Sequence, residues 1–121
     1  MTPDFFVDAL KAECRDAAVQ GCVEQLRAPS GRRPTSELVR MSNWFNALDE
    51  ASQKFVIQAM DDAADATLFG VLCVLDGVRV IEPAGEKSEF RLTVSRAGVN
   101  SVLAPGESNL HDLLRASQQD S

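Results

Sequence analysis

Leu68-Phe69-Gly70-Val71-Leu72-Cys73-Val74-Leu75, followed by Asp76-Gly77, is the stretch on which the reading of this 121-residue chain turns. It is apolar all round, so periodicity alone allows either a buried helix or a buried strand. Asp-Gly after an apolar run is a strong hairpin signal. Against that, Ala63-Ala64-Asp65-Ala66 feeds into the run without a breaker. Gly77 also suits the left-handed C′ residue that closes a helix. The stretch therefore reads as the end of a helix, and it is too short to span a bilayer.

Upstream, Asp49 suits the N-cap of this same segment, with Glu50 in its first turn. Phe55, Val56, Ala59, Met60, Ala63 and Ala64 recur at helical spacing, while Lys54, Gln58, Asp61, Asp62 and Asp65 occupy the other side. A second helix is predicted from Ser36 to Ala47, capped by Thr35 or Ser36, with Leu38, Met41, Trp44, Phe45 and Leu48 in one stripe. Ala28 to Pro34 holds two prolines and a glycine and reads as a loop. A first helix is predicted from Pro3 to Leu26, with Thr2 as N-cap and Pro3 at N1. Its apolar face at 100° per residue collects Phe6, Val7, Leu10, Cys14, Ala17, Ala18, Gly21 and Cys22, and Gly21 admits a kink or an early end.

Downstream the period changes. Val78-Arg79-Val80-Ile81 is short and rich in β-branched residues, Pro83 to Lys87 is turn-like, and Phe90 to Val94 alternates with period two. Arg96-Ala97-Gly98 makes a turn into a third strand, Val99 to Leu103. Asn109 then caps a short helix from Leu110 to about Ala116, with Asp112 at N3. Gln118 to Ser121 is expected to fray. The expected architecture is α+β in one domain, 1–121: an N-terminal bundle of about three helices over 3–76, a small antiparallel sheet over 78–103, and a short helix over 109–116.

Composition narrows the function classes. Apolar residues are 45% and charged residues 25% of the chain, which are ordinary globular values. The net charge is -6, the wrong sign for a general nucleic-acid binder. The excess is local, because residues 49–76 carry Asp49, Glu50, Asp61, Asp62, Asp65 and Asp76 against Lys54 alone. Asp61, Asp62 and Asp65 are neighbours at helical spacing and form a stripe of carboxylates. Such a stripe is a solvated face, a docking surface for something basic, or a cation site. The loop spacing of a calcium site is absent.

Cys14, Cys22 and Cys73 are read as buried reduced thiols, since an odd count suits no closed disulfide framework. No spacing suggests zinc, and no cofactor or metal is expected. The N-terminus lacks a basic-then-apolar leader, which points to a cytoplasmic protein. His111 is the only histidine; Asp112 beside it points about 100° away on a helix and suits the helix start better than it suits the ring. Trp44 lies at the edge of its stripe, either covering the core or standing out as an interface anchor.

Leu68 to Arg79 together with Leu110-His111-Asp112-Leu113-Leu114 resembles small uncharacterised bacterial proteins. The resemblance covers roughly the C-terminal half, implies a bacterial or phage accessory protein, and brings no catalytic residues. The leading functional expectation is a small acidic protein-binding module, of the kind that serves as an immunity-type or accessory inhibitor of a basic partner protein. Asp61, Asp62 and Asp65 would read charge through electrostatic steering, with Trp44 as an apolar anchor. Two alternatives stand beside it. One is a hydrolase or transferase using His111 with a carboxylate or Cys73. The other is a structural homodimer that buries surplus apolar surface such as Val39 and Val74.

Overall fold

The computed structural model describes residues 1–119, with the side chain of Gln119 left aside. The fold is α+β. In chain order it has α1 (Pro3–Leu10), a π-helical segment (Lys11–Asp16), α2 (Ala17–Arg27), α3 (Ser36–Ala47), α4 (Glu50–Leu75), β1 (Leu92–Arg96), β2 (Val99–Ala104) and α5 (Leu110–Gln119). The predicted fraying of the last residues falls partly outside the described residues; within them, α5 runs three residues further than the expected end near Ala116. Contacts divide the chain into two compact units, Met1–Ala12 with the chain from Ala66 onward, and Glu13–Asp65.

In the first unit the apolar run 68–75 is helical. Gly77 takes the left-handed conformation at φ 77°. Its N–H donates to the Val74 carbonyl at 3.0 Å and that of Val78 to the Cys73 carbonyl at 3.0 Å. This pair of bonds is the Schellman closure, which only a residue free to adopt positive φ makes cheaply. The core joins Val7 of α1, Leu72 of α4, Ala104 of β2 and Leu110 and Leu114 of α5, flanked by half-buried Phe6, Leu10, Leu68, Phe69, Leu75, Leu92 and Leu113.

Val78 to Ile81, expected as a strand, is irregular and exposed. Among the described residues the sheet has two strands, β1 and β2, paired antiparallel. Their loop is the two residues Ala97 and Gly98, with φ 52° and 79°. Two positive φ values in a two-residue loop are the type I′ geometry whose twist matches that of the strands. At the other end the register shifts between Leu92 and Thr93, so Leu103 is an extra residue on β2. A bulge of this kind breaks the alternation, and Leu103 and Ala104 are consequently both buried.

In the second unit, α2 packs on α3. Val19, Val23 and Leu26 of α2 are buried with Phe45 and Ser42 of α3. The Asn46 amide donates to the carbonyls of Leu26 at 3.4 Å and Arg27 at 3.1 Å, satisfying acceptors that the end of α2 leaves open. The Gln53 amide donates to the Phe45 carbonyl at 3.0 Å.

The single helix expected from Pro3 to Leu26 is interrupted by the π-helical segment. A π-turn adds a residue and moves the phase of the downstream helix by about 100°. The stripe extrapolated through Cys14, Ala17, Ala18 and Cys22 is therefore exposed, and Val19, Val23 and Leu26 are buried instead. Only Cys73 is a buried thiol; Cys14 and Cys22 face solvent. Likewise Met41 of α3 and Phe55 of α4, expected on core stripes, are exposed, and Trp44, placed at the edge of its stripe, stands out rather than covering the core.

Two of these local geometries can be tested directly. Ala97 holds a conformation that costs an L-residue with a Cβ about 1 kcal/mol, so Ala97→Gly or Ala97→Asn should raise the urea midpoint. At the start of α4, the Ser52 hydroxyl and then its N–H (2.7 Å) bond Asp49, which holds its carboxyl below the usual aspartate range. A lowered carboxyl stabilises the fold above its unfolded-state pKa and loses that contribution as pH falls through the lowered value. In Ser52→Ala, the Asp49 midpoint read by carboxyl NMR should move back up.

Candidate functional site

The acidic stripe lies on α4 within unit 13–65, and its three carboxylates have different surroundings. Arg15 sits between two acids, with Nη2 2.7 Å from Asp16 Oδ1 and Nη1 3.5 Å from Asp65 Oδ1. Asp65 is thus compensated from within the unit, and the stripe of free carboxylates expected from the sequence narrows. Asp62 is exposed and accepts from the Gln58 amide at 2.8 Å.

Asp61 borders an open groove with Asp16, Glu24, Arg27, Val19, Val23 and Ile57. α2 contributes Glu24 and Arg27, three residues apart, and α4 contributes Ile57 and Asp61, four apart, each pair on one helix face. Asp16 is paired with Arg15, which leaves Glu24 and Asp61 against Arg27 around an apolar floor, so the groove keeps a net negative charge. Glu24 accepts a bond from Gln20 at 3.3 Å. Glu24 and Asp16 are carboxylates that the sequence reading missed, because they gained meaning only when the fold brought residues of α2 and α4 to one groove.

Trp44 is 53% exposed. It borders a separate shallow depression on α3 with Ser36, Glu37, Arg40 and Met41. Trp44 does not line the Asp61 groove, so the acids and the aromatic anchor are not joined in one depression.

The enzymatic alternative turned on His111. In the unit containing α5, His111 Nδ1–H donates to Asp76 Oδ2 at 2.6 Å, and the Asp76 side chain is 3% exposed. The same carboxylate accepts the backbone N–H of Leu110 at 3.0 Å and of His111 at 2.9 Å. Asp76, rather than the Asn109 side chain, therefore caps α5, and it does so from the end of α4. Phe69 meets the His111 ring edge-on with centroids 5.6 Å apart, and Arg115 lies over the Phe69 ring at 3.9 Å.

A carboxylate on Nδ1 leaves Nε2 as the working nitrogen in a catalytic dyad. Here Nε2 faces Asp112 Oδ1 at 3.4 Å, nearer than the sequence reading allowed, and a carboxylate offers it no proton to take. Cys73 is buried, and among the described residues no hydrogen bond links it to His111. The depression beside Asp76 is walled by Lys87, Ser88, Phe90, Arg91 and Pro105, with His111 outside it. The dyad geometry is that of a helix clamp. Among the described residues no cluster of three or more His, Cys, Asp or Glu is arranged for a metal ion, and no helix is long and apolar enough to cross a membrane.

The chain matches no protein-family model, no curated protein and no solved structure.

The clamp is directly measurable. Asp76→Ala leaves two backbone donors and a ring N–H without their acceptor, and each orphaned buried group costs about 1–3 kcal/mol. Asp112, which is exposed and 3.4 Å from the ring, should cost under about 0.5 kcal/mol when changed to Ala. Urea unfolding of the two variants should separate them by more than about 1 kcal/mol.

Proposed function

We propose that the chain is a small protein-binding module that takes a basic segment of a partner protein in the groove between α2 and α4. The observation that supports this reading is Asp61 sharing an open groove with Asp16 and Glu24 around Val19, Val23 and Ile57. Apolar floor and acidic rim together suit an amphipathic basic segment, whose aliphatic side seats on the valines while Lys or Arg heads reach the carboxylates. The reading departs from the sequence expectation: Asp16 and Glu24 enter, Asp65 serves to hold Arg15, and Trp44 lies outside the groove. Asp62, exposed on the same helix, adds to the field that steers a cation inward. An immunity-type or accessory inhibitor in the cytoplasm, acting on a basic protein, is the role such a surface serves. Trp44 borders a separate depression on α3 and is not part of this proposed contact.

The test is an NMR titration with a Lys- and Leu-rich amphipathic peptide. Shifts should concentrate at Val19, Val23, Ile57 and Asp61. Affinity should fall with salt and drop roughly tenfold in Glu24→Lys/Asp61→Lys, about 1.4 kcal/mol. Shifts scattered over the surface, or affinity unchanged in that variant, overturn the proposal.

A further inference from the structure

The hairpin supplies a second surface, in the other unit and independent of the acidic groove. β2, Val99-Asn100-Ser101-Val102-Leu103-Ala104, contains no charge and no proline. It is an edge strand, since the sheet ends with it. In a two-residue hairpin the closing pair, here Arg96 and Val99, exchanges both of its backbone bonds, so the next outward-facing residues on β2 are Asn100 and Val102. Among the described residues neither has a backbone hydrogen-bond partner beyond β1. Val99 is 66% exposed and Val102 48%. An open edge is normally blunted by Lys, Pro or an inward charge. β1 carries Arg96 and follows Arg91, while β2 has none of these devices.

We propose that β2 is the contact edge of a symmetric dimer, in which two copies of the chain pair their β2 strands antiparallel and join the hairpins into one four-stranded sheet. A two-stranded hairpin is the least self-sufficient sheet, and two more strands complete it. The strand suits its own copy because it opposes no like charges when paired with itself, and it presents no charge by which a foreign strand would be selected. Symmetry sets the register. A two-fold axis normal to the sheet keeps each side chain on its own face, so paired residues differ by an even number. Placing Ser101 opposite Ser101 of the second copy pairs Asn100 with Val102 twice over, and these are the residues whose N–H and C=O point outward. The Ser101 pair is then the non-hydrogen-bonded kind, with Cα atoms about 4.5 Å apart, inside the range a disulfide bridges. The contact is small, so the dimer is weak, with a Kd on the order of 10 µM or above. Each copy carries -6 charge, and added salt therefore strengthens this association, the opposite of its effect on the acidic groove.

Sedimentation equilibrium of the full chain from about 1 to 200 µM covers that range. The expected result is a concentration-dependent dimer that salt favours and that Ser101→Lys reduces at least tenfold, by setting two ammonium groups face to face. In a Cys14→Ser/Cys22→Ser background, Ser101→Cys should form a covalent dimer under mild oxidation well ahead of Asn100→Cys. A monomer throughout the concentration range, a dimer indifferent to Ser101→Lys, or equal cross-linking from both cysteine positions overturns the proposal.

Discussion

One buried carboxylate holds the C-terminal unit in order. Asp76 follows the last turn of α4, where the negative end of its own helix dipole disfavours a carboxylate. It is tolerated there because the N-terminus of α5 points two open backbone donors at it and His111 supplies a third. The start of one helix thereby satisfies the end of another. Once that joint is made, Leu110 and Leu114 reach Leu72 and Val7, and Phe69 closes over the His111 ring. Burying a charge on this scale is costly unless its acceptor sites are filled, and three donors fill them. The arrangement resembles a catalytic dyad in outline, yet its hydrogen bonds are committed to holding the backbone.

Unit 13–65 depends on a different device. Its helices bury short β-branched and aliphatic residues around Phe45, and its polar groups are used at the helix ends: Asn46 at the end of α2, Gln53 at the end of α3, Asp49 at the start of α4. Arg15, half-buried with Asp65, holds Asp65 and the exposed Asp16 together. The surplus acidity of residues 49–76 is therefore unequal in what it offers solvent. Asp65 is engaged inside the unit, Asp76 is buried in the other one, and Asp61 and Asp62 remain to shape the field at the surface.

The two faces argued for interaction rest on opposite chemistry. The contact proposed for the α2–α4 groove would recognise by charge and weaken with salt. The contact proposed for the β2 edge would recognise by backbone hydrogen bonds and shape, with charge repulsion between copies opposing it. They lie in different units of the chain.

Local signals in the sequence determined much of the secondary structure. The caps at Thr2, Thr35 and Asp49, the left-handed Gly77, the continuous helix into the 68–75 run and the hairpin at Ala97-Gly98 all depend on residues within a few positions of one another, which is why pattern and turn chemistry reveal them. Three features were decided by tertiary structure. The π-turn at Lys11–Asp16 moved the buried face from Cys14 and Cys22 to Val19, Val23 and Leu26, because a single added residue shifts the phase without altering composition. Val78 to Ile81 has strand-forming residues but, among the described residues, no strand beside it, and a ladder needs a partner that propensity does not supply. Asp76 found His111, Arg15 found Asp65, and Glu24 came into a groove with Asp61. Each of these pairings spans tens of residues, and the field and hydrogen bonds that define a site depend on distance in space, which packing alone sets.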